Sequence, residues 1–151
     1  SLEEEIQFID TYLELELMRF DNKFDFIKEL DIEKYGHIQI PTMILQPFFE
    51  NAIRHGKIGQ LDKQGKLFFQ VSIEEDSLVF NIKDNGIGYE EAMKQKRLAE
   101  DSHRSMAMDI IQERISIYNL SYQLQMRYEI HNLESQEYKT QIIVYIHLRN
   151  L

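Results

Sequence analysis

The sequence predicts an α/β two-layer sandwich: a mixed, mostly antiparallel sheet backed on one face by three helices. Three observations carry that expectation. Three segments place apolar residues at helical spacing, and several shorter ones alternate or run apolar between turn residues. The 151 residues, 43% hydrophobic and 28% charged, are enough for one folded core.

The first helix is expected from Leu2 to Phe20, where Leu2, Ile6, Ile9, Leu13 and Leu17 recur every three or four residues. Asp21-Asn22 supplies its stop, and its apolar face suits core packing as well as partner binding. Phe24 to Leu30 reads as a half-buried strand and Ile38 to Ile40 as a short one, ended by Pro41. Thr42 is a candidate cap for a helix over Met43 to His55, with Pro47 in its first turns and Gly56 as its stop. Ile44, Leu45, Phe48, Phe49, Ala52 and Ile53 give that helix its apolar face. Lys66 to Glu74 and Leu78 to Lys83 are expected to pair around the turn Glu75-Asp76-Ser77. Tyr89 to Arg104 is charged and weakly periodic and reads as a mobile segment. Met106 to Leu120 returns to helical spacing, and Leu124 to Ile130 and Thr140 to Leu148 read as closing strands.

The formal charge of −9 argues against nucleic acid as a partner. An anionic nucleotide can still bind where a metal ion and a few donors offset its charge. With no cysteine, disulfides and thiolate metal sites are excluded and a reducing compartment is compatible. No apolar run approaches the roughly 20 residues of a bilayer span, and Glu3-Glu4-Glu5 is acidic where a signal peptide would be basic. The five histidines are not spaced as zinc ligands.

Two clusters carry chemistry. Glu50-Asn51-Ala52-Ile53-Arg54-His55-Gly56 puts four polar side chains within about one helical turn. They comprise a carboxylate, an amide oxygen able to ligate a hard cation and two donors for phosphate oxygens. Asp84-Asn85-Gly86-Ile87-Gly88 closes an apolar strand; its glycines admit a flat ligand, and its Asp can accept from an exocyclic amine. Each cluster also has an ordinary reading, a solvent-facing helix surface for the first and a tight turn for the second.

Taken together and in this order, the clusters resemble the GHKL ATPase superfamily, over about Ile40 to Leu148. Glu50-Asn51 looks like its N box and Asp84 to Gly88 like its G1 box. The start Leu2-Glu3-Glu4-Glu5-Ile6, the segments Tyr12-Leu13-Glu14 and Arg19-Phe20, and Ile40-Pro41 with Leu45-Gln46-Pro47 and Glu50 to Gly56 are similar to LytS-type sensor histidine kinases.

The resemblance implies a Bergerat-type fold that binds ATP and Mg²⁺ between helices and a lid. Asn51 would hold Mg²⁺, Asp84 would receive the adenine amine, and Gly86 and Gly88 would shape the base pocket. Glu50 would be the general base, Arg54 and His55 would lie near the phosphates, with Lys57 adding charge, and Thr140 would support Asp84. Ser105 and Ala107 would offer N–H groups to phosphate at the start of the helix after the lid. The implied reaction moves the ATP γ-phosphoryl group to a histidine outside this chain, for relay to a response regulator.

Residues 1–22 would then link from a dimerisation and phosphoacceptor region, and 23–151 would form the catalytic domain, within a homodimer. The domain would be cytoplasmic, its parent anchored in the bacterial inner membrane. Three positions depart from the pattern: Ser105-Met106-Ala107-Met108 lacks the glycines that open that helix, Ile110 replaces an asparagine, and Lys139 replaces a glycine before Thr140. A regulatory or dimerisation module with a degenerate nucleotide site, and an ATPase acting on water or on a protein serine, are the rival expectations.

Overall fold

The computed structural model describes residues 1–98, 106–135 and 137–148. Its elements run α1 (Leu2–Arg19), β1 (Phe24–Glu29), α2 (Ile32–Tyr35), α3 (Gln46–Arg54), a 3₁₀ turn (Ile58–Gln60), β2 (Gly65–Glu74), β3 (Ser77–Asp84), α4 (Tyr89–Leu98), α5 (Met106–Ser121), β4 (Met126–Asn132) and β5 (Thr140–His147).

Alternation along the strands decides the layering. Leu67, Phe69 and Val71 of β2 and Ile142, Val144 and Ile146 of β5 are buried, while the residues between them are half-exposed, so each strand gives one face to a core. The strand order is β1-β2-β3-β5-β4. β1 runs parallel to β2 and every other neighbouring pair is antiparallel, as expected of a mixed sheet. Parallel pairing requires a crossover, and α2, α3 and the 3₁₀ turn supply it.

The helices cover the buried face. Leu2, Ile6, Ile9 and Leu13 of α1, Phe48, Phe49, Ala52 and Ile53 of α3, and Ile111 and Ile115 of α5 join the strand residues in one cluster. Phe49 packs edge-on against Phe69 of β2 at 5.2 Å and against Phe26 of β1 at 6.0 Å. Asn119 near the end of α5 brackets Met126, accepting its N–H at 2.9 Å and donating to its carbonyl at 3.0 Å, which ties α5 to the start of β4.

Three expected elements differ. Ile38 to Ile40 forms no strand; the carbonyl of Ile38 accepts the Leu2 N–H at 2.8 Å and that of Gly36 accepts the Glu3 N–H, so the segment caps α1. The second long helix begins at Gln46, not Met43, because a helix from Met43 would need an N–H on Pro47 to bond the Met43 carbonyl. Thr42 therefore does not cap it. Met43 sits in a left-handed turn at φ +58°, and Glu5 of α1 accepts the N–H groups of Met43 and Leu45. Tyr89 to Leu98 is helical; only its spacing is weakly apolar, while Glu, Lys, Gln and Arg are sound helix formers. Of the remainder of that segment, 99–105 lies outside the described residues.

Candidate functional site

Asp84 ends β3 on the helix-facing side, in step with buried Leu78, Phe80 and Ile82. It is 3% exposed, and its Oδ1 accepts the Gly86 N–H at 2.9 Å. Burial pushes the carboxyl up to about 7, and the Gly86 bond draws it back only in part. A carboxyl held so deep with so few donors destabilises the fold, and such groups concentrate where a ligand needs them.

Two glycines let α3 close onto this carboxyl. A β-carbon at Gly56 would stand 3.0 Å from Asp84 Oδ1, and one at Gly86 would stand 2.2 Å from the Gly56 carbonyl oxygen. Ile87 donates its N–H to that same carbonyl at 2.9 Å. Asn85, also buried, holds the strand end from the other side: Lys66 N–H donates to its Oδ1 at 2.7 Å, and its Nδ2 donates to the Gln64 carbonyl at 3.1 Å. Thr140, buried, stands opposite Asp84 in the β3–β5 register, and Lys139 donates its N–H to the Asp84 carbonyl at 2.8 Å.

Asn51 lies five residues before Gly56 on α3, about 7.5 Å back along the helix axis. It is 8% exposed. An amide this deep in the middle of a helix is unusual, since Asn is a poor helix former. Its oxygen is a hard ligand of the kind Mg²⁺ takes, so the residue present fits the ion that the resemblance implies. Among the described residues, no group of three or more His, Cys, Asp or Glu side chains could hold a metal.

The four polar residues of α3 divide between two flanks. Asn51 and His55 are four residues apart and share one flank; Glu50 and Arg54 share another, about 100° around the helix. Glu50 accepts from Gln46 Nε2 at 2.7 Å and, with Arg54, lies within the electrostatic reach of Tyr12 on α1. Burial first, then the negative charges of Glu16 and Glu50, push the Tyr12 hydroxyl up to about 12. Asp84, Gly86 and Thr140 are thus grouped at the end of α3, Asn51 lies farther back on that helix, and the Glu50 carboxylate turns toward α1.

Gly88 takes φ +87° and leads into α4, and an open concavity of about 280 Å³ lies between it, Glu91 and Lys94 of α4, and Lys139. Lys57, itself left-handed, donates to Gln95 of α4 at 2.8 Å, so α4 is held against the end of α3. A larger cavity of about 520 Å³ opens between α1 and β1, away from Asp84. Ser105 lies outside the described residues; Ala107 falls in the first turn of α5, whose N–H groups no helical carbonyl satisfies. The role of Gly56 against Asp84 and that of Asn85 are additions to the residues the motifs name. An Asn directly after the strand-ending Asp, beside Gly, was their only local signal.

No protein-family model matches the chain. It is 32% identical over 88 residues to the sensor protein LytS of Staphylococcus epidermidis, covering 58% of this chain and 15% of that protein. It is also 32% identical over 85 residues to the sensor histidine kinase BtsS of Escherichia coli, covering 56% of this chain and 15% of that one. The chain thus spans about 15% of the length of these relatives. Among solved structures, the catalytic domain of histidine kinase ThkA superposes with a TM-score of 0.61 at 15% identity over 99% of this chain and 95% of that one. The mycobacterial sensor histidine kinase MprB gives 0.54 at 16% identity over 94% and 93%. The fold is that of histidine kinase catalytic domains.

Proposed function

We propose that this chain is the ATP-binding catalytic domain of a two-component sensor histidine kinase. It would transfer the γ-phosphoryl group of ATP to a histidine outside the chain, for relay to a response regulator. The observation that carries this reading is the buried Asp84 carboxyl, wedged between Gly56 and Gly86 at the end of the helix that bears Asn51. Relatives that are sensor histidine kinases and a catalytic-domain fold support it.

Asp84 accepts the adenine amine, and Gly86 and Gly88 leave the base room to lie against backbone. Thr140, opposite Asp84, steadies that strand end. Asn51 supplies an oxygen ligand for Mg²⁺, which neutralises phosphate charge when bound. His55, on the same flank, and the first-turn N–H groups of α5, with Ala107 among them, serve the phosphate end, and Ser105 just before α5 in sequence belongs to the same proposal. Arg54 adds positive charge on the flank nearer α1. Glu50, on that flank, takes the proton of an imidazole approaching along α1.

Among the described residues no helix is long and apolar enough to cross a membrane. Placement in the cytoplasm beneath a membrane anchor, residues 1–22 as the link to a dimerisation and phosphoacceptor domain, and a homodimeric parent all belong to this proposal.

Calorimetry with a non-hydrolysable ATP analogue and Mg²⁺ tests it. Micromolar binding that Asn51→Ala and Asp84→Asn each abolish is the expected result. No binding at millimolar ligand would leave the chain a regulatory or dimerisation module. Transfer of label from ATP to an added dimerisation domain, lost in Glu50→Gln, identifies the acceptor and the base.

A further inference from the structure

Glu5 is an acidic residue on the buried face of its helix. It follows Leu2 by three residues and precedes Ile9 by four, inside the apolar stripe, and it is 4% exposed. Both carboxylate oxygens accept backbone N–H groups from far along the chain: Met43 at 2.6 Å, 38 residues away, and Leu45 at 2.9 Å, 40 residues away. These donors belong to the turn that feeds α3, among the groups that no helical carbonyl can satisfy.

That turn is strained and held from two sides. Met43 keeps a left-handed φ of +58°, which a residue with a β-carbon adopts only under constraint. Tyr118 of α5 donates its hydroxyl to the Thr42 carbonyl at 3.0 Å, one residue earlier. α1 and α5 therefore both grip the entry to the helix that carries Asn51. Farther along the seam between α1 and α3 the polar contacts are incomplete: Tyr12 Oη, Glu16 Oε2 and Gln46 Oε1 are buried and make no hydrogen bond among the described residues. The polar register of α3 against α1 is accordingly set at the Glu5 end.

We infer that Glu5 is a positioning residue: by closing on the Met43 and Leu45 N–H groups it transmits the placement of α1 to α3, and so sets where Asn51 presents its amide to the phosphate end of a nucleotide. This rests on the nucleotide reading above. The base end has its own anchor, since Asn85 ties the Asp84 loop to Lys66 and Gln64 without α1. A shift of α1 acts at the entry to α3, the end away from the Gly56 contact with Asp84, so it weakens magnesium-phosphate binding more than adenine recognition.

Glu5→Gln tests this, because the amide replaces one acceptor with a donor that faces an N–H. Amide hydrogen exchange is followed along the chain, and affinities are measured for a Mg²⁺-loaded ATP analogue and for adenosine alone. Exchange over 43–54 is expected to quicken while β3 and β5 keep their protection. Affinity for the Mg²⁺-loaded analogue should fall on the order of tenfold, the scale of a lost charge-assisted bond, with adenosine weakened far less. Adding Met43→Gly, which lets the left-handed turn form unaided, should restore both readings.

Unchanged exchange in α3 overturns the inference, whatever the ligands do. So do equal losses for both ligands, and so does faster exchange throughout the chain that Met43→Gly fails to correct. If neither ligand binds the unaltered chain while Glu5→Gln still loosens 43–54, the nucleotide reading fails and the grip of Glu5 on α3 stands.

Discussion

Ile87 donates its N–H to the carbonyl of Gly56 at 2.9 Å, joining the turn after β3 to the end of α3 backbone to backbone. No side chain takes part in that contact, and Gly86 sits inside it, where only a residue without a β-carbon fits.

Gly86→Ala must push the two backbones apart, since its β-carbon would meet the Gly56 carbonyl oxygen at 2.2 Å. Urea unfolding should show a loss of about 2 kcal/mol or more, as overpacking against immobile atoms does. Gly88→Ala meets nothing nearer than the Lys139 β-carbon at 4.0 Å, so only its φ of +87° resists. That loss should be about 1–2 kcal/mol. Equal losses would mean that Gly86 is not wedged.

Asp84→Asn should stabilise the protein at pH 8 more than at pH 5. The folded carboxyl titrates at about 7 and the unfolded one at its ordinary value of 3.8, so between them the folded state holds a proton that the unfolded state has released. Stability is therefore full below about pH 4 and falls as pH rises toward about 7, by up to ~4 kcal/mol from this group. Asn keeps an oxygen for the Gly86 N–H and removes the slope. Urea midpoints of both proteins from pH 4 to 8 check the sign, and nucleotide binding should be lost in the more stable variant.

Asn51→Ala should leave stability unchanged or slightly raised while removing Mg²⁺-dependent nucleotide binding. The side chain is buried in mid-helix, where Ala is the better helix former by about 0.5 kcal/mol. A marked fall in melting temperature would show that the amide is structural.

Phe49→Ala should cost about 3–5 kcal/mol, the range for emptying a fully buried aromatic site. Phe49 is fully buried and joins α3 to both β1 and β2 through Phe26 and Phe69. Denaturant unfolding measures the loss, and a value near 1 kcal/mol would mean that the rings can collapse into the gap.

Local patterns were a good guide wherever the signal was local. The stripe from Leu2 to Leu13, the hairpin around Glu75-Asp76 and the alternation of β5 are where their spacing puts them. The start of α3 was misplaced because Ile44 and Leu45 are as buried as a helix face demands, yet Pro47 forbids the earlier turns. α4 escaped because only Ala92 of its described side chains is buried, leaving propensity and not periodicity as the sign. Glu5 was legible in principle: a carboxylate three residues after Leu2 and four before Ile9 breaks an otherwise apolar stripe.

From the sequence alone came the helix faces, the paired strands and the order of the Asn51 and Asp84 motifs, since each depends on residues within a turn or a hairpin of one another. Tertiary structure alone decided that Gly56 closes on Asp84, that Glu50 and Asn51 look to different flanks, and that Glu5 reaches Met43 and Leu45. Those choices depend on which distant backbone groups are left without partners once the layers pack. No local periodicity encodes that.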